Sequence, residues 1–205
     1  MSTIKTTNIT HGSNSGTANV VLDSSGNTTV SSNLTVTGTG GNVVQYTDAS
    51  GSWTAFGTGA YKDITVDSTD VIKYEIYFKD VSPTGNTDWQ FQIGDSGGVE
   101  TSGYEVTATY MGTSNSNESA QRSDAWRWYG NGNAAVVMNG KFTLTRIGGN
   151  EWWGEGQYTR EGDAYFGHMW GFKELSAALT TIHISASSDD SSNFDGGTYK
   201  IITYK

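Results

Sequence analysis

The sequence contains no cysteine and a single proline, Pro83. Without thiols, disulfides and thiolate metal sites are excluded, and the chain is indifferent to the redox compartment. Positive charge is scarce too: 12 Lys and Arg stand against 21 Asp and Glu, a formal net charge of −9. An acidic surface repels polyanions, so no nucleic-acid partner is expected. No apolar run approaches the roughly 20 residues that span a bilayer, so no membrane partner is expected. Met1–Lys5 lacks the apolar core of a signal peptide, which fits synthesis in a cytoplasm.

What is present is glycine, at 27 residues, with aromatic side chains at 12% of the chain and abundant Ser, Thr and Asn. Helix interiors disfavour Gly and β-branched Thr, whereas sheets accept Thr and aromatics. That composition predicts an all-β protein of short strands and tight turns. At 205 residues the chain accommodates one domain with its own core plus an arm.

The N-terminal 40 residues are polar. Strand-like pieces occur at residues 6–10, Val20–Leu22, Thr28–Val30 and 34–37, with Asp23-Ser24-Ser25-Gly26-Asn27 as a turn between the second and third. Such strands are too short and too polar to bury a core alone. They need a partner, either a copy of the same chain about a symmetry axis or the domain that follows. We take residues 1–40 as an attachment arm and trimerising β stem, with Val20, Leu22, Val30, Leu34 and Val36 as its apolar contacts. Gly38-Thr39-Gly40-Gly41 then serves as a flexible joint.

Residues 41–205 carry a stronger period-2 signal. Ile72, Tyr74, Ile76 and Phe78 alternate with Lys73, Glu75, Tyr77 and Lys79, and Trp89, Phe91 and Ile93 alternate with Gln90 and Gln92. Tyr104, Val106, Ala108 and Tyr110 repeat the pattern. Residues 80–86 read as a turn, and 112–121 as a surface loop. Further strands are expected at 134–138, 141–146, Thr181–Ser185 and 198–204, with two helical turns at most over 173–179. Eight or more strands with these connections predict a jelly-roll-like two-sheet β-sandwich.

Two stretches carry a resemblance. The run from Asn19 through Asp23-Ser24-Ser25-Gly26-Asn27 to Val30, followed by Asn33-Leu34-Thr35-Val36-Thr37-Gly38, resembles a segment of fibre and appendage proteins of tailed phages, marine ones especially. The second joins Trp89-x-Phe91-x-Ile93 to Thr181-Ile182-His183-Ile184 and Ser191-Ser192-Asn193-Phe194-Asp195-Gly196-Gly197-Thr198-Tyr199. It resembles a β-sandwich module of phage virion proteins. The resemblance implies a non-enzymatic structural protein of a virion: a homotrimeric fibre, spike or capsid decoration protein. It would attach to phage capsid or tail proteins, with no cofactor.

The motifs that could carry chemistry are few. Gly94-Asp95-Ser96-Gly97-Gly98 spells the nucleophile motif of trypsin-like proteases, but that chemistry needs an upstream His base, and only His11 precedes it. It reads as a hairpin turn. Glu151 with Glu155, and Glu161 with Asp163, could act as paired acids only if they converge across a cleft; as acidic loops they are solvated faces. Asp189, Asp190 and Asp195 offer hard oxygens without calcium-loop spacing, so no metal is expected. His183, between Ile182 and Ile184, is expected to point to the face opposite theirs. The aromatic clusters Trp126-Arg127-Trp128, Trp152-Trp153, Tyr165-Phe166, Trp170 and Phe172 either fill the core or a subunit interface, or form a platform for sugar. Trp152, Trp153, Tyr165 and Trp170 are the candidate ligand or interface residues, with host surface glycan as the alternative partner.

Overall fold

A computed structural model describes residues 52–85, 88–112, 117–128, 136–162, 164–186 and 192–205, together with the backbone of four short strands nearer the N-terminus. The chain divides into two compact units, residues 1–44 and 45–205. In the first, β1 (Asn8–Ile9), β2 (Val20–Leu22) and β3 (Thr28–Val30) form a three-stranded antiparallel sheet in the order β1-β2-β3. Val20 lies opposite Val30, and Leu22 opposite Thr28, across the hairpin. Leu34, Val36 and the joint at residues 38–41 lie outside the described residues.

The second unit is built from two antiparallel sheets, and no helix occurs among the described residues. Its strands are β4 (Tyr46–Asp48), β5 (Thr54–Ala55), β6 (Tyr61–Thr65), β7 (Lys73–Pro83), β8 (Trp89–Asp95), β9 (Gly98–Val99) and β10 (Tyr104–Met111). They continue with β11 (Asn117–Arg122), β12 (Trp126–Trp128), β13 (Met138–Gly148), β14 (Glu151–Arg160), β15 (Phe166–Glu174), β16 (Thr181–Ser185) and β17 (Phe194–Tyr204). The larger sheet runs β11-β10-β15-β14-β13-β7-β17-β4, with β5 also on β17; the smaller runs β12-β8-β16-β6, with β9 on β8. Along the chain, β6 to β8, β10, β12, β13, β16 and β17 step repeatedly from one sheet to the other. This alternation gives the sandwich its jelly-roll-like character.

The core lies where the two inner faces meet. Trp89, Phe91, Ile93, Trp126, Trp128, Ile182 and Ile184 come from the small sheet, and Tyr74, Ile76, Phe78, Phe142, Leu144, Trp152, Tyr158 and Met169 from the large one. Rings interlock across the gap: Phe91 lies 4.6 Å from Phe142, Trp128 5.1 Å from Tyr158, and Tyr104 packs edge-on to Trp126 at 5.0 Å. Trp126 and Trp128 share the inner face while Arg127 points outward to Asp124, as an extended triplet requires.

The meander β13–β15 reads poorly in sequence because glycine takes inward positions. Along β14 the buried set is Trp152, Gly154, Gly156 and Tyr158. A β-carbon at Gly154 would meet the Trp126 indole, and one at Gly156 would sit 2.8 Å from Trp128 Nε1. The glycines leave flat seats for two tryptophans of the facing sheet.

Several sequence expectations are corrected. Residues 173–179 form no helix: Lys173 and Glu174 end β15, and Leu175 and Leu179 are drawn into the core in irregular chain. The Leu175 amide bonds Asn150 O and the Ser176 amide bonds Glu100, so tertiary contacts override the local preference. The turn expected at 80–86 starts later, because β7 continues to Pro83 with its register shifts against β17. Part of the loop expected at 112–121 is β11; of the strand expected at 134–138, Ala134 and Ala135 lie outside the described residues, Val136 and Val137 precede β13, and Met138 opens it, continuous with 141–146. Ile72 is exposed just before β7 rather than inward-facing.

Candidate functional site

Alternation assigns the outer face of the large sheet directly. On β15, Gly167, Met169 and Gly171 are buried, which leaves Phe166, His168, Trp170 and Phe172 outside. On β14 the outward residues are Glu151, Trp153, Glu155, Gln157 and Thr159. The antiparallel register sets Trp153 beside Phe172, Glu155 beside Trp170 and Gln157 beside His168. Trp153 meets Phe172 edge-on at 4.5 Å, and His168 lies 4.9 Å from Trp170. Phe166 and Phe172 are 41% and 38% exposed, which is high for residues whose neighbours could cover them. The result is a strip of rings along β15, about 20 Å long at roughly 3.4 Å per residue.

Polar groups flank the strip. On the β10 side, Glu105 lies opposite Phe172 and Thr107 opposite Trp170. On the β14 side, a hollow of about 100 Å³ opens among Lys141, Glu155, Gly156, Gln157 and His168. Trp153 Nε1 lies 3.5 Å from Glu155 Oε2. Thr143, the cross-strand partner of Glu155, is buried on this face with no hydrogen-bond partner for its hydroxyl. A larger groove, about 500 Å³, runs between β10 and β11. Glu105, Thr107, Gln121, Arg122 and Ser123 line it, with only the buried Tyr104 supplying a ring.

Farther along the same face a different chemistry is closed off. Glu75 accepts from Lys73 Nζ at 3.2 Å, Tyr77 OH at 3.1 Å and Tyr204 OH at 2.9 Å, with Lys141 Nζ at 3.6 Å. Burial alone would push its carboxyl up. The hydrogen bonds from Tyr204, Lys73 and Tyr77, with the Lys141 charge, outweigh that and hold it below the usual carboxylate range. A carboxylate so saturated is a clamp between β7, β13 and β17.

The expected site residues divide sharply. Trp152 is a correction: at 1% exposure its indole belongs to the core, packed 5.9 Å from Tyr74, and cannot be a ligand platform. Trp153 and Trp170 are on the outer strip. Tyr165 lies apart from it, stacked on Tyr110 at 5.1 Å with the Arg160 guanidinium over its ring. Phe166, His168 and Phe172 join the strip, and their outward parity follows once Met169 is known to be inward. Val20, Leu22 and Val30 lie on β2 and β3.

The remaining motifs resolve into structure. Glu151 and Glu155 lie on β14, not in a loop, and both point outward four residues apart, about 13 Å along the strand. Ser96 is exposed in the β8–β9 turn, where the Asp95 carboxylate accepts from Gly97 N at 2.7 Å and Ser176 Oγ at 2.6 Å. His183 points away from Ile182 and Ile184 and meets Asp63 at 2.6 Å. Asp195 accepts from Ser82 Oγ. His11, Asp163, Asp189 and Asp190 lie outside the described residues. Among the described residues, no group of three or more His, Asp or Glu is placed to hold a metal ion. No described helix is long and apolar enough to cross a membrane.

No protein-family model, curated protein or solved structure matches this chain significantly.

Proposed function

We propose that this chain is a structural protein of a tailed-phage virion: a homotrimeric fibre, spike or capsid decoration protein. Residues 1–44 attach it to capsid or tail proteins, and the sandwich of residues 45–205 is displayed. The observation that carries this reading is the asymmetry between the two units. One holds a core of four fully buried tryptophans; in the other, the described backbone is a sheet of three strands, each two or three residues long. A sheet that small does not support itself in water and calls for further chains to complete it. The resemblance of residues 19–38 to phage appendage segments points the same way. The role is non-catalytic, and the protein is made in the host cytoplasm and used in the virion.

Light scattering on the full chain beside a chain beginning at Gln45 tests this. The expected result is a trimer that becomes a monomer on truncation. Monomers in both cases would remove the stem, and the attachment model with it.

A second reading, recognition of host surface glycan, is favoured by the outward ring strip of Trp153, Phe166, His168, Trp170 and Phe172. Flat rings with acceptors beside them suit the C–H faces and hydroxyls of sugars. Under this reading the three sandwiches of a trimer gain affinity through avidity.

A further inference from the structure

We infer that the strip along β15 takes an uncharged polysaccharide chain and rejects acidic ones; this rests on the glycan reading above. Charge around the rings sets this preference. Outward positions of β10, β14 and β15 carry four carboxylates, Glu105, Glu151, Glu155 and Glu174, and no Lys or Arg. Register sets Glu105 against Phe172 and Glu155 against Trp170, so the carboxylates border the rings themselves. The nearby lysines of the face, Lys73 and Lys141, are drawn toward Glu75. A uronate, sialate or phosphate laid on the strip would meet four carboxylates against two bordering cations, Arg122 in the groove with Glu105 and Lys141 in the hollow with Glu155, and so a net negative field at close range.

The same carboxylates suit a neutral sugar. Ionised Glu only accepts hydrogen bonds, and every ring of a polysaccharide offers several O–H donors. A donor for the sugar's own oxygens comes from Gln157, which lines the hollow beside His168. That hollow, about 100 Å³, is of a size for one substituent of a ring, not a whole ring. The exposed rings supply the apolar faces, spaced along about 20 Å of strand, so the occupant is a chain of several sugars. A second copy of this protein fits less well. An isologous contact through this face would oppose four carboxylates to four.

The test is calorimetric titration of the full chain with soluble mannan, a β-glucan and a chitin hexamer as neutral probes, and with alginate and polygalacturonate as acidic ones. The expected outcome is binding of at least one neutral probe and of neither acidic one. Trp170→Ala and Phe172→Ala should each weaken it roughly tenfold or more. Glu105→Gln with Glu155→Gln should admit an acidic probe. Acidic binding by the native chain that Trp170→Ala abolishes would overturn the charge argument and leave the glycan reading standing. Failure of every neutral probe at millimolar concentration would overturn both, as would binding that Trp170→Ala leaves unchanged. Self-association lost in Trp170→Ala, without sugar binding, would make the strip a subunit contact and also overturn both.

Discussion

Replacing Gly154 by Ala adds one methyl group where the large sheet receives the Trp126 indole of the small one. The new β-carbon would lie 2.7 Å from both Cζ2 and Nε1 of Trp126, nearer than such carbons approach anything. The indole has little room to withdraw. It is fully buried, donates from Nε1 to Gly171 O at 3.2 Å, and packs against Tyr104 and Phe142 at 5.0 and 5.5 Å. Overpacking of this kind costs about 1–3 kcal/mol, and a strained Trp126–Gly171 hydrogen bond adds up to about 1 kcal/mol. Against this, removing a glycine stiffens the unfolded chain and returns about 0.4–1 kcal/mol. The net expectation is a loss of about 1–3 kcal/mol, or a fall in Tm of roughly 3–10 °C for a domain of this size. Gly148→Ala, where a β-carbon would meet nothing within 4 Å, is the control and should be neutral or slightly stabilising. In urea unfolding, Trp126→Phe should absorb part of the Gly154→Ala loss, with a coupling of about 1 kcal/mol. A Gly154→Ala protein as stable as the native one, or strict additivity of the pair, would refute the seat.

Three further outcomes follow from the same geometry. Trp152→Ala should cost about 3–5 kcal/mol as a cavity in the core, whereas Trp170→Ala on the outer strip should stay within about 0.5 kcal/mol; equal losses by thermal unfolding would contradict the assigned faces. Glu75 and Glu100 are both held below the ordinary 4.5, despite burial that opposes ionisation, by hydrogen bonds from Tyr204, Lys73 and Tyr77 in one case and from Lys173 and Ser176 in the other. A depressed carboxyl stabilises the fold above its unfolded pKa and loses that contribution as pH falls through the folded value. Stability should therefore decline below pH 4.5, and Glu75→Gln should lower neutral stability while flattening that acid limb; an unchanged limb would count against the clamp. The oligomer comparison with the chain from Gln45 completes the set.

Much of the sandwich was legible in the sequence because β7 as far as Phe78, β8 as far as Ile93 and β10 as far as Ala108 place an apolar side chain at every second position. The Trp126 and Trp128 parity was legible for the same reason. β14 and β15 were not, because Gly154, Gly156, Gly167 and Gly171 take inward positions where a period-2 reading expects an apolar side chain. Their inward role appears only when the tryptophans of the other sheet are placed above two of them. β11 is an edge strand whose residues 117–122 show no apolar face, so composition made it a loop. The Lys173–Leu179 stretch has helical local preference, yet Leu175 and Leu179 both belong to the core, and burial decided its path. Trp152 and Trp153 could not be told apart in sequence, since adjacent residues of a strand take opposite faces and the register was unknown.

The partition of the indoles makes the molecule its own optical gauge. Of the seven tryptophans, Trp89, Trp126, Trp128 and Trp152 are sealed in the interior, while Trp53, Trp153 and Trp170 reach the surface. Emission should therefore separate into a blue component that small quenchers do not reach and a red one that they do. Because carboxylates border Trp153 and Trp170, the ratio of caesium to iodide quenching should be higher for the red component than for free indole, and added salt should bring the two ratios together. The same light that reports unfolding through four rings would report, through two others, what settles on the strip.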